Sequence, residues 1–111
     1  MKKTTFGLFG EYIAIIIYKI KFYQILHHQK KQYVGEIDII AVRGRQLVFI
    51  EVKTRRKVVD GDILSLTQQN RIKRSARLFL SYNPRYQNYN VRFDLVIISL
   101  YALPIIIEDA W

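Results

Sequence analysis

The chain has 111 residues, enough for one domain, and half of them are hydrophobic, which favours a packed core over disorder. Its 18 Lys and Arg outnumber its 9 Asp and Glu, and the net charge of +9 indicates a polyanionic partner, with nucleic acid first and an anionic membrane surface second. The absence of cysteine excludes disulfides, thiol nucleophiles, zinc ribbons and iron–sulfur clusters, and it fits a cytoplasmic protein.

Residues 7–21 have the hydrophobic spacing of a helix. Four side chains follow one another on one face of it: Glu11, Ile15, Tyr18 and Phe22. The uninterrupted apolar stretch, residues 12–18, is much shorter than the roughly 20 residues that cross a membrane, and no small-residue cleavage site follows it. We therefore expect a buried amphipathic helix and no membrane insertion. A helix lying on a membrane surface is the alternative.

A β-hairpin is the clearest local signal. Residues 34–42 and 47–54 are rich in β-branched side chains and flank a turn centred on Gly44. Before the hairpin, residues 22–26 predict a short strand, and residues 27–32 a loop or a solvated strand end. The adjacent His27 and His28 are expected at the surface, on opposite sides of the chain.

From residue 60 to residue 80 the period becomes helical, and Asp60 and Asp62 are both suitable N-caps. One stripe of this helix contains Gln69, Ile72, Ala76, Phe79 and Leu80. A loop over residues 81–90 and strands over residues 91–100 and 105–108 complete the chain. The prediction is a single α/β domain over residues 1–111, in the order αβββαββ, with a mixed central sheet flanked by helices.

The hairpin brings together three acids and a lysine. With the turn symmetric about Gly44 and Arg45, Asp38 lies opposite Glu51, and Glu36 lies opposite Lys53. All four then project from one face, while the other face, with Ile37, Ile39, Ile50 and Val52, is core. Two opposed carboxylates destabilise a sheet, so something positive is expected between Asp38 and Glu51.

A divalent metal ion suits that gap, because Mg²⁺ prefers oxygen ligands and retains several waters. The backbone carbonyl of Val52 is a further candidate ligand, and Glu11 of the first helix is a third carboxylate. Lys53 can contact a scissile phosphate or the attacking water. These parts support hydrolysis of a phosphodiester by metal-activated water. The alternative is a Glu36–Lys53 ion pair beside a solvated Asp38–Glu51 face.

The segments Gly35-Glu36-Ile37-Asp38-Ile39-Ile40-Ala41 and Leu47-Val48-Phe49-Ile50-Glu51-Val52-Lys53-Thr54-Arg55 resemble the signature of the YraN-like family of bacterial proteins. That family belongs with the PD-(D/E)XK, restriction-endonuclease-like superfamily and is similar to archaeal Holliday-junction resolvases. The resemblance covers nearly the whole chain: Gly10-Glu11, Arg92-Phe93-Asp94-Leu95-Val96 and Glu108-Asp109-Ala110-Trp111 also match.

The resemblance implies metal ligation by Asp38 and Glu51, a catalytic role for Lys53 and a supporting role for Glu11. It also implies a site-facing polar residue at Gln69, and a homodimer, since resolvase-like nucleases cut two strands. Gln68 departs from the family pattern, which usually has a lysine there.

Seven cations in two groups, neither of which contains an acid, favour phosphate binding over an ordinary solvated face. They are Arg55, Arg56, Lys57, Arg71, Lys73, Arg74 and Arg77. Without a recognition helix or zinc finger, binding is expected to read shape or backbone. Among the aromatic residues, Tyr82, Tyr86 and Tyr89 are interpreted as covering a core edge rather than stacking on bases. Asp94 is expected to make structural hydrogen bonds.

The leading hypothesis is a cytoplasmic Mg²⁺- or Mn²⁺-dependent DNA endonuclease, acting on branched or repair intermediates. The alternative is a nucleic-acid-binding protein that keeps the fold without efficient cleavage, and a third candidate is a membrane-surface or protein-interaction module. No small-molecule cofactor is expected, because the sequence has no Walker loop and no dinucleotide fingerprint.

Overall fold

Five strands form one mixed sheet with a helix on each side. The computed structural model describes residues 4–56 and 64–111. Its elements are α1 (Thr5–Ile20), β1 (Gln24–Gln32), β2 (Gly35–Arg43), β3 (Gln46–Arg55), α2 (Leu66–Tyr82), β4 (Asn90–Ser99) and β5 (Ile105–Ile107), with a 3₁₀ turn at Pro84–Tyr86. The predicted α/β class and the order αβββαββ are confirmed.

The strands lie in the order β1-β2-β3-β4-β5. Neighbouring strands are antiparallel except β3 and β4, which are parallel from Gln46–Asn90 to Arg55–Ser99. A parallel pair needs a long crossover connection, and α2 lies within it. The sheet is therefore mixed, as predicted, and β3 is its central strand.

The two helices bury opposite faces of this sheet. On one face, Ala14 and Tyr18 of α1 pack with Ile39, Val48 and Ile50. On the other face, the core comprises Ile37, Ile40, Leu47, Phe49, Ala76, Phe79 and Tyr86. This division follows from the alternation of side chains along β3 and along β2 from Ile39 onward.

The buried side of α1 differs in part from the predicted face. Glu11 and Tyr18 are buried, as expected, but Phe22 lies beyond the end of the helix and is exposed. Phe9, Tyr12 and Ile16 also remain more than half exposed, so α1 is only partly buried. In residues 4–56 and 64–111, no helix is long and apolar enough to cross a membrane.

Gly10 sets the distance between α1 and the sheet. A Cβ atom at this position would overlap the Thr54 side chain of β3 and touch Ile98 of β4. The helix therefore packs with its backbone against the strands, which brings the next residue, Glu11, close to the end of β3.

Two element ends can be compared with the sequence predictions. β1 continues to Gln32, so residues 27–32 are the strand end that was expected as the alternative to a loop, because β1 pairs with β2 along most of its length. α2 begins at Leu66 with Ser65 as N-cap, whose hydroxyl accepts from the Gln68 N–H while the Gln68 side chain accepts from the Ser65 N–H. This capping box is legible in the sequence. The predicted caps Asp60 and Asp62 lie outside the described residues.

A buried ion pair within β4 is hydrogen-bonded to α1. Asp94 is fully buried and accepts two hydrogen bonds from Arg92, at 2.8 and 2.9 Å, and one from the Tyr18 hydroxyl at 2.6 Å. The Asp109 N–H donates a fourth. Burial and the hydrogen bond to Asp94 raise the pKa of Tyr18, and the hydrogen bond to Asp94 raises the pKa of Arg92. Asp94 thus has the structural role that the sequence predicted.

Candidate functional site

The β2–β3 hairpin opens at the position of the predicted acids. Its register is as predicted from Arg43–Gln46 to Ile39–Ile50, where the ladder ends. The expected pairings of Asp38 with Glu51 and of Glu36 with Lys53 are therefore wrong as ladder pairs. Instead, the Val52 N–H donates to Asp38 Oδ2 at 2.9 Å, so a carboxylate replaces the backbone acceptor that a continued ladder would supply.

A local irregularity in β2 accompanies this opening. Ile37 packs on the α2 side of the sheet and Ile39 on the α1 side, although residues two apart normally share a face. The single core face predicted for these two residues is thus wrong, although both are buried. On β1, Lys30 pairs with Ile37 and His28 with Ile39, and the intervening Gln29 has a φ of 58°. Asp38 therefore lies where the alternation changes.

The opened hairpin forms one wall of a cleft of about 600 Å³. The first turns of α1 contribute Thr4, Gly7 and Glu11; β2 contributes Gly35, Glu36 and Asp38; β3 contributes residues 51–55; and α2 contributes Gln68, Arg71 and Ile72. The four predicted residues Glu11, Asp38, Glu51 and Lys53 all line this cleft. The β2–β3 hairpin and two helices from either side of it in the chain thus line one cleft.

Glu11 is held by the adjacent strand. It is 1% exposed, and its Oε1 is 2.8 Å from His28 Nε2 and 3.4 Å from Gln29 Nε2. The ring of Tyr12 packs edge-on against His28. Neither His27 nor His28 is the surface residue that the sequence suggested, because each is half-buried and contacts a helix.

His27 lies on the other side of β1, where its ring packs edge-on against Phe79. Burial, and to a smaller extent the charge of Lys30, lower its pKa below the ordinary value. The histidine that matters for the site is therefore His28. Its spacing from Glu11 in the sequence carries no periodic signal, because the two residues lie on different elements.

The donor set at the cleft fits a hard divalent cation. Asp38 and Glu51 present carboxylates, and the Val52 N–H points toward β2. A strand residue directs its N–H and C=O to the same edge, so the Val52 carbonyl faces the opening. Among the described residues, no three His, Cys, Asp or Glu side chains form a metal cluster of their own. Mg²⁺ requires only one or two carboxylates with waters and phosphates.

Gln69 does not line the cleft. Its side-chain amide donates to the Leu64 carbonyl at 3.1 Å, in the segment that precedes α2. The neighbouring Gln68, where the family pattern has a lysine, lines the cleft and also closes the capping box. Of the two glutamines, the structure brings Gln68 rather than Gln69 to the acids.

The predicted cations divide into two groups. Arg55 and Arg71 line the cleft, whereas Lys73, Arg74 and Arg77 line a separate depression on α2 together with Thr67 and Asn70. Arg56 is exposed at the end of β3, and Lys57 lies outside the described residues. Arg55 and Arg71 therefore border the same cleft as the acids, and Lys73, Arg74 and Arg77 lie further along α2.

Gly35, which the sequence analysis named only within a motif, also lines the cleft. It has a φ of 151°, and a Cβ there would press against Arg71 and Ser75 at 3.2 Å. Glycine is favoured at such a φ. Gly35 thus allows the start of β2 to lie directly against α2 and holds Arg71 at the cleft.

A family model and individual related proteins identify the same family. The model of the family described as "Uncharacterised protein family UPF0102" matches residues 10–98. A UPF0102 protein of Ehrlichia ruminantium is 41% identical over 96% of this chain and 84% of its own length. A UPF0102 protein of a Chelativorans species is 37% identical over 92% of this chain and 83% of its own length. A UPF0102 protein of Caldicellulosiruptor saccharolyticus is 38% identical over 86% of this chain and 83% of its own length. The YraN-like membership predicted from the motifs is confirmed: the chain belongs to the UPF0102 family.

Proposed function

We propose that this protein is a metal-dependent DNA endonuclease, acting in the cytoplasm on branched or repair intermediates. The observation that carries the proposal is the cleft at the opened hairpin, where Asp38, Glu51, Lys53 and Glu11 lie beside two arginines. The motif on β2 and β3 resembles that of the PD-(D/E)XK nucleases, and its acids lie on these two neighbouring strands just beyond the last β2–β3 ladder pair.

Asp38 and Glu51 are the proposed ligands of Mg²⁺ or Mn²⁺, with the Val52 carbonyl as a third. The bound ion would supply an activated water and neutralise charge on the phosphodiester. Asp38 is 3% exposed and lines the cleft, and its Oδ2 accepts from the Val52 N–H, so the carboxylate is fixed there before an ion binds and little entropy is lost on binding. Lys53 stabilises the negative charge that develops on the phosphate oxygens.

Glu11 is proposed as a supporting carboxylate rather than a primary ligand. Its contacts with His28 and Gln29 fix its position within the cleft wall. In this proposal the Glu11 carboxylate, held by the His28 imidazole, hydrogen-bonds to waters around the ion and does not bind the ion directly. The Gln69 side chain donates to the Leu64 carbonyl, and its proposed supporting role is to hold the segment that precedes α2.

The arginines and lysines of the site favour a nucleic acid, and DNA is the proposed substrate. Arg55 and Arg71 line the cleft and are the proposed contacts of the phosphates that flank the cut, and Lys73, Arg74 and Arg77 line a further depression on α2. Each phosphate contact makes binding more sensitive to salt. A homodimer belongs to the same proposal, because a branched substrate presents two strands to cut, and light scattering of the purified protein tests it.

A nucleic-acid-binding protein without efficient cleavage is the second candidate. The observation that favours it is that Glu11 already bonds to His28, while the described residues contain no cluster of three metal-ligating side chains. Both candidates predict salt-sensitive DNA binding, so binding alone does not separate them.

Cleavage of labelled linear, single-stranded and four-way-junction DNA with Mg²⁺ or Mn²⁺ separates the two. Wild type is compared with Asp38→Asn and Lys53→Ala, which change the site, and with Asp109→Asn and Lys19→Ala, which make the same changes at exposed positions away from it. Metal-dependent cutting that is lost only in the first pair supports the nuclease. Binding without cutting in all five proteins refutes it and supports the second candidate.

A further inference from the structure

We propose that two exposed tyrosines at the far end of α2 bind unpaired nucleotides of the DNA substrate. Tyr33, at the β1–β2 turn, is 99% exposed, and Tyr82, in the last turn of α2, is 75% exposed. With Lys30 and Lys31 they line a cavity of about 260 Å³, here called the tyrosine site. The proposal rests on the proposed function and names the form of DNA on which it acts.

The other tyrosines of this region have packing roles. Tyr86 is buried and stacks on Phe79, and Tyr89 packs edge-on against Tyr86 with Arg45 over its ring. The prediction that these aromatics cover a core edge is thus confirmed for Tyr86 and Tyr89. It is wrong for Tyr82, whose ring contributes little to the core.

The chemistry of the tyrosine site fits a nucleotide. Every base has a π-face that stacks on an aromatic ring regardless of sequence, and lysines beside such a ring neutralise the adjoining phosphates. Gln32 and Asn83, which also line the cavity, offer amide hydrogen-bond partners, and Leu78 is its one aliphatic lining residue. Among the described residues no Asp or Glu lines it. The cavity is smaller than pockets for drug-sized ligands, which begin near about 300 Å³.

The tyrosine site is connected to the cleft along one line of α2. Arg71 borders the cleft, and Arg74, Leu78 and Tyr82 follow at spacings of three and four residues, which place them on one helix face. From Arg71 to Tyr82 the helix rises about 16 Å, which is about five nucleotide steps of one DNA strand.

The β1–β2 turn forms the second connection. Gly35 lines the cleft and contacts Arg71, and Tyr33 is two residues before it. The Gln32 side chain donates to the Ser75 carbonyl at 2.6 Å, which fixes the turn on α2. A strand that leaves the cleft past Arg71 therefore has a basic path to both tyrosines, and it must be single-stranded to stack on them.

Fluorescence anisotropy tests the proposal on the full chain. The probes are a blunt DNA duplex and the same duplex with a single-stranded tail, in EDTA so that no cleavage occurs. We expect Tyr33→Ala and Tyr82→Ala each to weaken binding of the tailed duplex by about 5- to 140-fold, which is the loss of about 1–3 kcal/mol for one stacked base. The blunt duplex should bind all variants equally. Tyr82→Phe should retain the preference, and Tyr101→Ala, at a tyrosine that is 81% exposed in the β4–β5 connection, is the matched control.

The salt dependence identifies the forces involved. Alanine at either tyrosine should lower the affinity for the tailed duplex at every salt concentration without changing the slope of log K against log salt, whereas Lys30→Gln or Lys31→Gln should reduce that slope by about one. Equal affinities of all variants for the tailed duplex, or equal losses for tailed and blunt DNA, overturn the tyrosine site. Because this assay has no metal, its outcome is independent of cleavage. A tail preference here, together with no cutting in the separate assay with Mg²⁺ or Mn²⁺, would refute the proposed cleavage and keep this site.

Discussion

Two substitutions of Asp38 separate its structural role, accepting the Val52 N–H, from its proposed role as a metal ligand. In Asp38→Asn, the amide oxygen can still accept the Val52 N–H. In Asp38→Ala, that N–H remains buried without its acceptor, since Val52 and Asp38 are both buried at the opened hairpin. Leaving a buried donor unsatisfied costs about 1–3 kcal/mol, whereas a neutral hydrogen bond retains about 1 kcal/mol.

We therefore expect the free energy of unfolding to fall by about 1–3 kcal/mol in Asp38→Ala and by less than about 1 kcal/mol in Asp38→Asn. Urea denaturation followed by circular dichroism measures both values, and the slope with denaturant should be unchanged. Equal unfolding midpoints for the two variants would refute the assigned role of the hydrogen bond.

The metal dependence of stability tests the chemical role in the same proteins. A ligand that binds only the folded state, present at 100 times its Kd, adds about 2.7 kcal/mol to the free energy of unfolding. Mn²⁺ should therefore stabilise wild type and Asp109→Asn, and it should have little effect on Asp38→Asn. An undiminished Mn²⁺ effect in Asp38→Asn would show that Asp38 is not a ligand.

Three further predictions concern packing, the buried ion pair and pH. Gly10→Ala should cost about 1–3 kcal/mol through overpacking against Thr54, and a double-mutant cycle with Thr54→Ser, which removes the obstructing methyl, should recover part of that cost in thermal unfolding. Asp94→Leu should cost about 3–5 kcal/mol because it strands the Arg92 guanidinium, and Arg92→Met in the same chain should restore stability rather than lower it further. The pKa of His27 is lowered in the fold, so the unfolded chain takes up its proton first: stability is complete above the ordinary pKa of about 6.5 and falls as the pH drops through it. Urea midpoints at about pH 7.5 and 5.5 should therefore differ more in wild type than in His27→Gln.

The order of the helices and strands along the chain was predictable because it depends on the periodicity of hydrophobic residues. Alternating β-branched residues around Gly44, which has a φ of 59° in the turn, specify the hairpin and its register. The apolar stripe through Ile72, Ala76 and Phe79 specifies the buried face of α2. In both cases the information lies within a few residues, which is the range over which side-chain period and turn geometry act.

The features that sequence reasoning missed depend on contacts between distant elements. Sequence left residues 27–32 open between a loop and a strand end, because their polar and basic side chains have little strand propensity of their own; the pairing of β1 with β2 decides for the strand. The contact of His28 with Glu11 joins β1 to α1. The Ser65 capping box, by contrast, is a local signal in the sequence. Asp60 and Asp62, which lie upstream, are also suitable N-cap residues, so residue type alone does not identify the start of α2.

The opening of the hairpin explains why the acids form a site rather than a surface pair. A perfect β2–β3 ladder would have used the backbone of residues 51–55 for pairing with β2 and would have left four charged side chains on a solvated face, where ion pairs contribute little. Beyond Ile50, however, β3 follows the parallel register of β4 up to Arg55, while β2 follows β1 and packs Gly35 against α2. The two strands separate because each is held by its other neighbour. The first turns of both helices border the opening between the strands, so the separation of β2 from β3 that positions Asp38 and Glu51 also creates the cleft.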